Sequence, residues 1–257
     1  MIETLKKSLK NPAKAKRVLK HRLLSQIQRN TNFKKVIVIG RARTGSNLLL
    51  SFMNSHPELH MEGEIFAYQK SKPSQTIIDR VYKFQPDGIK AAGFKIFYHH
   101  PMDDKDSDIW ELLRADKSIH VIQLRRENML RMHISRKVAM QSDVWTAASK
   151  KEVDKVRNRK VSFTKEELEE GFNKTKRWEA NAIEDFSEHP FIEICYERMI
   201  SDPENEFAKL TSFLAVEPMA PKTNLRKQNP GKLQDLIENY ESLKAEFADT
   251  EWQKFFD

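Results

Sequence analysis

Four short apolar runs stand out along the chain: KVIVI at 35–39, AAGFKIFY at 91–98, IHVIQL at 119–124 and FIEICY at 191–196. Each is rich in β-branched and aromatic residues and nearly continuous in its hydrophobicity, which predicts strands covered on both faces. Between them, apolar positions recur at helical spacing at about 46–55, 106–116, 127–141, 165–188, 203–215 and 232–246. The first of these stops before His56-Pro57. Thr164 with Glu167 forms a capping box, and Ser201-Asp202-Pro203 places proline in a first helical turn. Strands alternating with helices predict an α/β protein, a three-layer α/β/α arrangement around a central parallel sheet of four or five strands.

The same pattern predicts a helix from about Glu3 to Gln28, broken near Asn11-Pro12, ahead of one domain over residues 31–257. Residues 142–175 are charged and short of strand signals, a helical excursion that reads equally as a lid or as a solvated helical pair. At 257 residues the chain can bury a full core. No run reaches the roughly 18 apolar residues of a membrane span, and the first residues lack the apolar region of a signal peptide. Cys195 is the single cysteine, so no internal disulfide framework is expected and a reducing, cytoplasmic setting fits. The eight histidines show no HExxH spacing and there is no CxxC, so no metal site is expected.

The formal charge of +8 suggests nucleic acid until it is located. Residues 1–30 hold nine Lys/Arg and only Glu3 as an acid, and the remaining 36 basic and 36 acidic residues balance. The basicity is an arm on a neutral body. Such an arm suits an anionic membrane surface, nucleic acid or plain solvation. A neutral body without basic residues interleaved with aromatics disfavours nucleic acid. The pattern leaves open whether the chain forms a homo-oligomer.

Candidate chemistry begins after the first run. Gly40-Arg41-Ala42-Arg43-Thr44-Gly45 joins a strand to a helix, and backbone N–H groups in such a loop surround an anion. The spacing satisfies the first half of a P-loop, G-x4-G, but Ser46 and Asn47 stand where Lys and Ser/Thr would follow. The missing hydroxyl is the one that holds Mg²⁺, so a metal-assisted nucleotide triphosphatase is disfavoured. What remains is a P-loop-like site with Arg41, Arg43, Thr44, Gly45, Ser46 and Asn47, suited to a phosphate or sulfate.

RARTGSNLL resembles the 5′-phosphosulfate loop of sulfotransferases that use 3′-phosphoadenosine-5′-phosphosulfate (PAPS). Together with NSHPELHMEGEIF, it is most similar to bacterial carbohydrate sulfotransferases of the nodulation-factor and trehalose type. The resemblance runs from about residue 34 to 245. It implies that Arg43, Thr44, Gly45, Ser46 and Asn47 wrap the 5′-phosphate, with Arg41 near. It implies that Arg126 and Ser135, in VIQLRRENMLRMHIS, grip the 3′-phosphate, although adjacent Arg125 competes for that role. Tyr196 in FIEICYERMISDP would approach the adenine, and Arg226 and Lys227 in TNLRKQNPGKL would close over the nucleotide.

Sulfuryl transfer to a hydroxyl needs a base on one side and fixed cations on the other. By the resemblance, Glu64 in MEGEIF is the base and Lys95 in GFKIFYHH supports the sulfuryl oxygens, with Arg43 beside them. Glu62 is the alternative base. Lys95 also stands out without any resemblance, because a lysine inside an apolar strand is costly to bury. Phe97 occupies the position where the cytosolic animal enzymes carry a histidine base, which favours glutamate; His99 and His100 follow. The reading is a PAPS-dependent sulfotransferase acting on a carbohydrate or glycolipid hydroxyl. A P-loop-like small-molecule kinase and a non-catalytic nucleotide-binding module are the alternatives.

Overall fold

The computed structural model describes residues 12–144, 159–225 and 231–256. Helix α1 (Pro12–Gln28) leads into β1 (Lys34–Gly40), α2 (Ser46–Ser55), β2 (Leu59–Glu64), α3 (Ser74–Tyr82) and β3 (Ala91–Phe97). Then come α4 (Ile109–Ala115), β4 (His120–Arg125), α5 (Met129–Ser142), α6 (Lys165–Asp185) and β5 (Phe191–Cys195). Short helices α7 (Tyr196–Ser201), α8 (Pro203–Leu214), α9 (Leu233–Leu236) and α10 (Tyr240–Glu246) follow, with a 3₁₀ turn at Gln253–Phe256. The five strands form one sheet in the order β2-β3-β1-β4-β5, and every pairing is parallel.

β1 is central because it can be buried on both faces. Val36 and Val38 enter one core with Leu49, Met53, Phe207 and Leu210, while Ile37 and Ile39 enter another with Phe94, Ile109, Leu113 and Phe186. The two-residue alternation of a strand thus feeds two hydrophobic layers from one β-branched run. A third core joins α5, α6 and the C-terminal helices around Phe172, Phe247 and Trp252.

Several elements differ from the sequence expectation. β2 is the fifth strand, and its segment LHMEGE carries too few apolar residues to announce itself; it sits at the sheet edge, where one side needs no partner. Helix α3 lies within a stretch that gave no helical signal. The expected 232–246 helix is two short ones, α9 and α10, and the chain between them pairs with Val161. Strand β5 ends at Cys195, so Tyr196 opens a helix. In the 142–175 region, residues 145–158 fall outside the described part. The described remainder is packed: Val161, Phe163, Leu168 and Phe172 are all buried in the third core. Of the expected capping box one half forms: Thr164 Oγ1 accepts from Glu167 N at 3.2 Å, while the Glu167 carboxylate accepts from Lys137 at 3.0 Å; at the start of α8, Asp202 accepts from Asn205 N at 3.3 Å.

Candidate active site

The order of the strands puts the loop after β1 at the point where connections diverge to either side, the usual place for a ligand crevice in such sheets. A cleft of about 1100 Å³ opens there, lined by the loop, Glu64, Lys95, Arg126, Ser135 and Tyr196. Two left-handed residues make the loop. Arg43 has φ 74° and Gly45 φ 90°, after which α2 starts at Ser46 with its first-turn N–H groups at the open end. Glycine is required at 45 twice over, by its φ and because a Cβ there would overlap the Tyr196 ring.

The arginines divide the work of holding this loop. Arg43 donates through Nε and Nη2 to Ser135 Oγ, at 3.0 and 2.8 Å. Arg126 donates to the Arg43 carbonyl at 3.1 Å and lies over the Tyr196 ring, 4.4 Å from its centroid. Four residues that are far apart in sequence therefore form one cluster. Burial, followed by the charge of Arg126, lowers the Arg43 pKa to about 10. Burial likewise lowers that of Arg126. Arg126 Nε is buried without an acceptor among the described residues, and the carboxylate facing it, Glu197, stands 3.8 Å away. Two crowded guanidinium groups and an unmet donor fit an anion.

Arg125 is turned the other way. It pairs with Glu179 and Glu193, each at 3.0 Å, so of the two neighbours Arg126 is the one that enters the cleft.

Lys95 lies on the opposite wall and is 2% exposed. Its ammonium donates to Asn47 Oδ1 at 2.7 Å and Ser46 Oγ at 3.1 Å, and pairs with Glu64 Oε1 at 2.9 Å. One buried cation thus joins the anion loop to the acid. Glu64 Oε2 is 3.9 Å from His100 Nε2. His100 Nδ1 accepts from the Phe97 amide at 3.3 Å, which leaves its other nitrogen carrying the hydrogen. Burial, then the neighbouring His99, lowers the His100 pKa to about 4, so the ring is neutral near neutral pH.

Glu62 and Glu64 face different ways because of a bulge. In a regular strand, residues two apart share a face. Here Glu62 pairs with Phe94 and Glu64 with the very next residue, Lys95, so one extra residue breaks the alternation. Glu62 is left to pair with Arg80 at 2.9 Å.

Arg41 lines the cleft and reaches across to α5 and α6. Its Nη1 donates to Gly171 O at 2.8 Å, to His133 Nε2 at 3.3 Å and to Thr175 Oγ1. Burial, then Arg136, lowers its pKa to about 10, and burial followed by Arg41 lowers that of His133 to about 3. Thr44 is tied down by its hydroxyl to the Arg41 carbonyl at 2.7 Å. Sequence reading missed His133, Gly171 and Thr175 as loop anchors; the i, i+4 spacing of Gly171 and Thr175 on one helix was the available signal. Arg226 and Lys227 lie outside the described residues.

Along most of its length the chain is similar to nodulation proteins. It is 23% identical over 239 residues to Nodulation protein H of Rhizobium tropici, covering 86% of this chain and 92% of that protein. To Nodulation protein H of Rhizobium meliloti it is 23% identical over 235 residues, covering 86% and 94%. Among solved structures, a sulfotransferase from Alicyclobacillus acidocaldarius aligns with 83% of this chain and 90% of its own, at 14% identity and a TM-score of 0.49. No family model matches the chain.

Proposed function

We propose that the protein is a sulfotransferase that moves a sulfuryl group from PAPS to a hydroxyl of a carbohydrate or glycolipid acceptor. The observation that carries this reading is Lys95, a buried ammonium shared between the anion loop and Glu64. A cation so placed serves charge on either side of a group in transit. The nodulation protein relatives and the departure from the Mg²⁺-binding P-loop pattern support the same reading.

Bound at this loop, PAPS supplies an activated sulfuryl group and a bridging oxygen on which charge develops as the group leaves. The residues present fit it. The Ser46 end of α2, with Thr44 and Asn47, would hold the 5′-phosphate. Arg126, with its unmet Nε, and Ser135 would hold the 3′-phosphate, with Tyr196 against the adenine. Arg43 spans the two, since it already rests on Ser135. Glu64 would take the acceptor proton, and Lys95 and Arg43 would oppose the developing charge. Neutral His100, its N–H toward Glu64, would orient the carboxylate.

The test is calorimetric titration of adenosine 3′,5′-bisphosphate with EDTA present and ATP as control. Tight binding without metal, weakened in Arg43→Ala and Arg126→Ala, is the expected result. Absence of binding, or a preference for ATP with Mg²⁺, would replace this reading with a kinase.

A further inference from the structure

Helix α1 is built inside out. A surface helix ordinarily turns its apolar stripe inward and its polar side to water. The face of α1 that meets the body is polar: His21 stacks on His60 of β2 with ring centroids 3.3 Å apart and shares a hydrogen bond with Gln85 at 2.9 Å. On that same face Ser25 is buried and Gln28 accepts from the Asp87 amide at 2.9 Å. About half a turn away, at i, i+4 and i+8, stand Leu19, Leu23 and Ile27, which are 61%, 54% and 76% exposed. Single exposed leucines are ordinary, but an unbroken outward row on one helix is not.

The charges say what covers this row. Exposed Lys20 and Arg22 flank it on either side. Between Glu3 and Glu58 the chain has no acidic residue at all. We propose that α1 docks on an anionic lipid surface, its Leu19-Leu23-Ile27 row entering the headgroup boundary and its cations lying among the lipid phosphates. A second copy of the chain would bring two strongly basic arms together and pay their repulsion. A nucleic acid would meet the cations but leave the apolar row in water. His60 and Glu64 lie on the same strand, so the docked helix and the candidate base share one rigid element. The inference stands apart from the donor reading, since it uses none of the loop residues.

The experiment is co-sedimentation of the full chain with vesicles of phosphatidylcholine alone or of equal parts phosphatidylcholine and phosphatidylglycerol. Binding is expected with the anionic vesicles only, weakening as salt is raised. The combined variant Leu19→Gln, Leu23→Gln, Ile27→Gln is expected to partition about tenfold more weakly at the same salt. Its unfolding temperature and its affinity for adenosine 3′,5′-bisphosphate should be unchanged. Wild-type protein remaining in the supernatant overturns the proposal, and so does undiminished vesicle binding by the triple variant. A dimer in sedimentation equilibrium that the variant abolishes assigns the row to a second copy, and capture by duplex DNA in place of vesicles assigns the arm to nucleic acid. If the wild type binds vesicles but not the bisphosphate, the donor reading falls and this one stands.

Discussion

Around the loop after β1, the cations of this protein are buried and held in place. On helix α1 the described cations, Lys20 and Arg22, stand in water beside exposed apolar residues. Arg41, Arg43, Lys95 and Arg126 each have side chains or carbonyls fixing them, and three of the four guanidinium or ammonium groups touch another part of the same site. Burying such charges costs free energy unless hydrogen-bond partners or an opposite charge offset it. Lys20 and Arg22, being exposed, cost little to keep charged. The difference teaches that net charge locates nothing by itself: the +8 of the sequence belongs to the arm, while the candidate anion site sits in the electrically balanced body.

The comparison is tested hardest at the buried end. Glu64→Gln is expected to lower sulfuryl transfer by about 10²–10⁴-fold while leaving affinity for adenosine 3′,5′-bisphosphate nearly intact, as steady-state rates and calorimetry together would show. Equal loss of both would demote Glu64 to a structural acid. Next, Arg43→Ala or Arg126→Ala should weaken that affinity by roughly 10–100-fold, the range for a charge-assisted hydrogen bond lost from a buried anion. Arg125→Ala should leave affinity within about twofold. It should instead reduce stability by about 1–3 kcal/mol, because Glu179 is left buried without its partner.

Stability should also reveal the buried cluster through pH. His133 is neutral in the fold with its pKa lowered to about 3, against 6.5 for an unrestrained histidine. The unfolded chain therefore binds the proton first, and stability is full above about pH 6.5 and falls as pH drops toward 3. At pH 4.5 the loss from this one ring is about 2–3 kcal/mol. His133→Gln should flatten the denaturant-midpoint profile over that range, leaving a smaller slope from His100, which is lowered to about 4. The smallest effect belongs to the arm. Lys20→Glu with Arg22→Glu should shift stability by no more than about 0.5 kcal/mol and leave bisphosphate affinity alone.

Some of this was legible in the residues. Gly40 and Gly45 around two arginines after a β-branched run marked the loop, because a strand end, a turn and a helix start are each set by near neighbours. Lys95 marked itself by standing in an apolar strand. Arg41 was half legible: its position in the loop placed it at the cleft but gave no hint that it would donate to Gly171 and Thr175 of α6. The edge strand β2 was illegible for the opposite reason: its partner β3 supplies the hydrogen bonds that its own composition does not promise.

The sequence by itself determined the parallel sheet's interior strands, the loop and the caps, all consequences of spacing over a few residues. Only the tertiary structure decided which of two neighbouring residues faces the cleft. Arg126 enters it and Arg125 does not because Glu179 and Glu193, distant along the chain, arrive on the outer side. Glu64 meets Lys95 and Glu62 does not because a bulge against β3 adds one residue between them. Side-chain direction at a strand's end is set by what the neighbouring elements bring to it, and no local pattern carries that information.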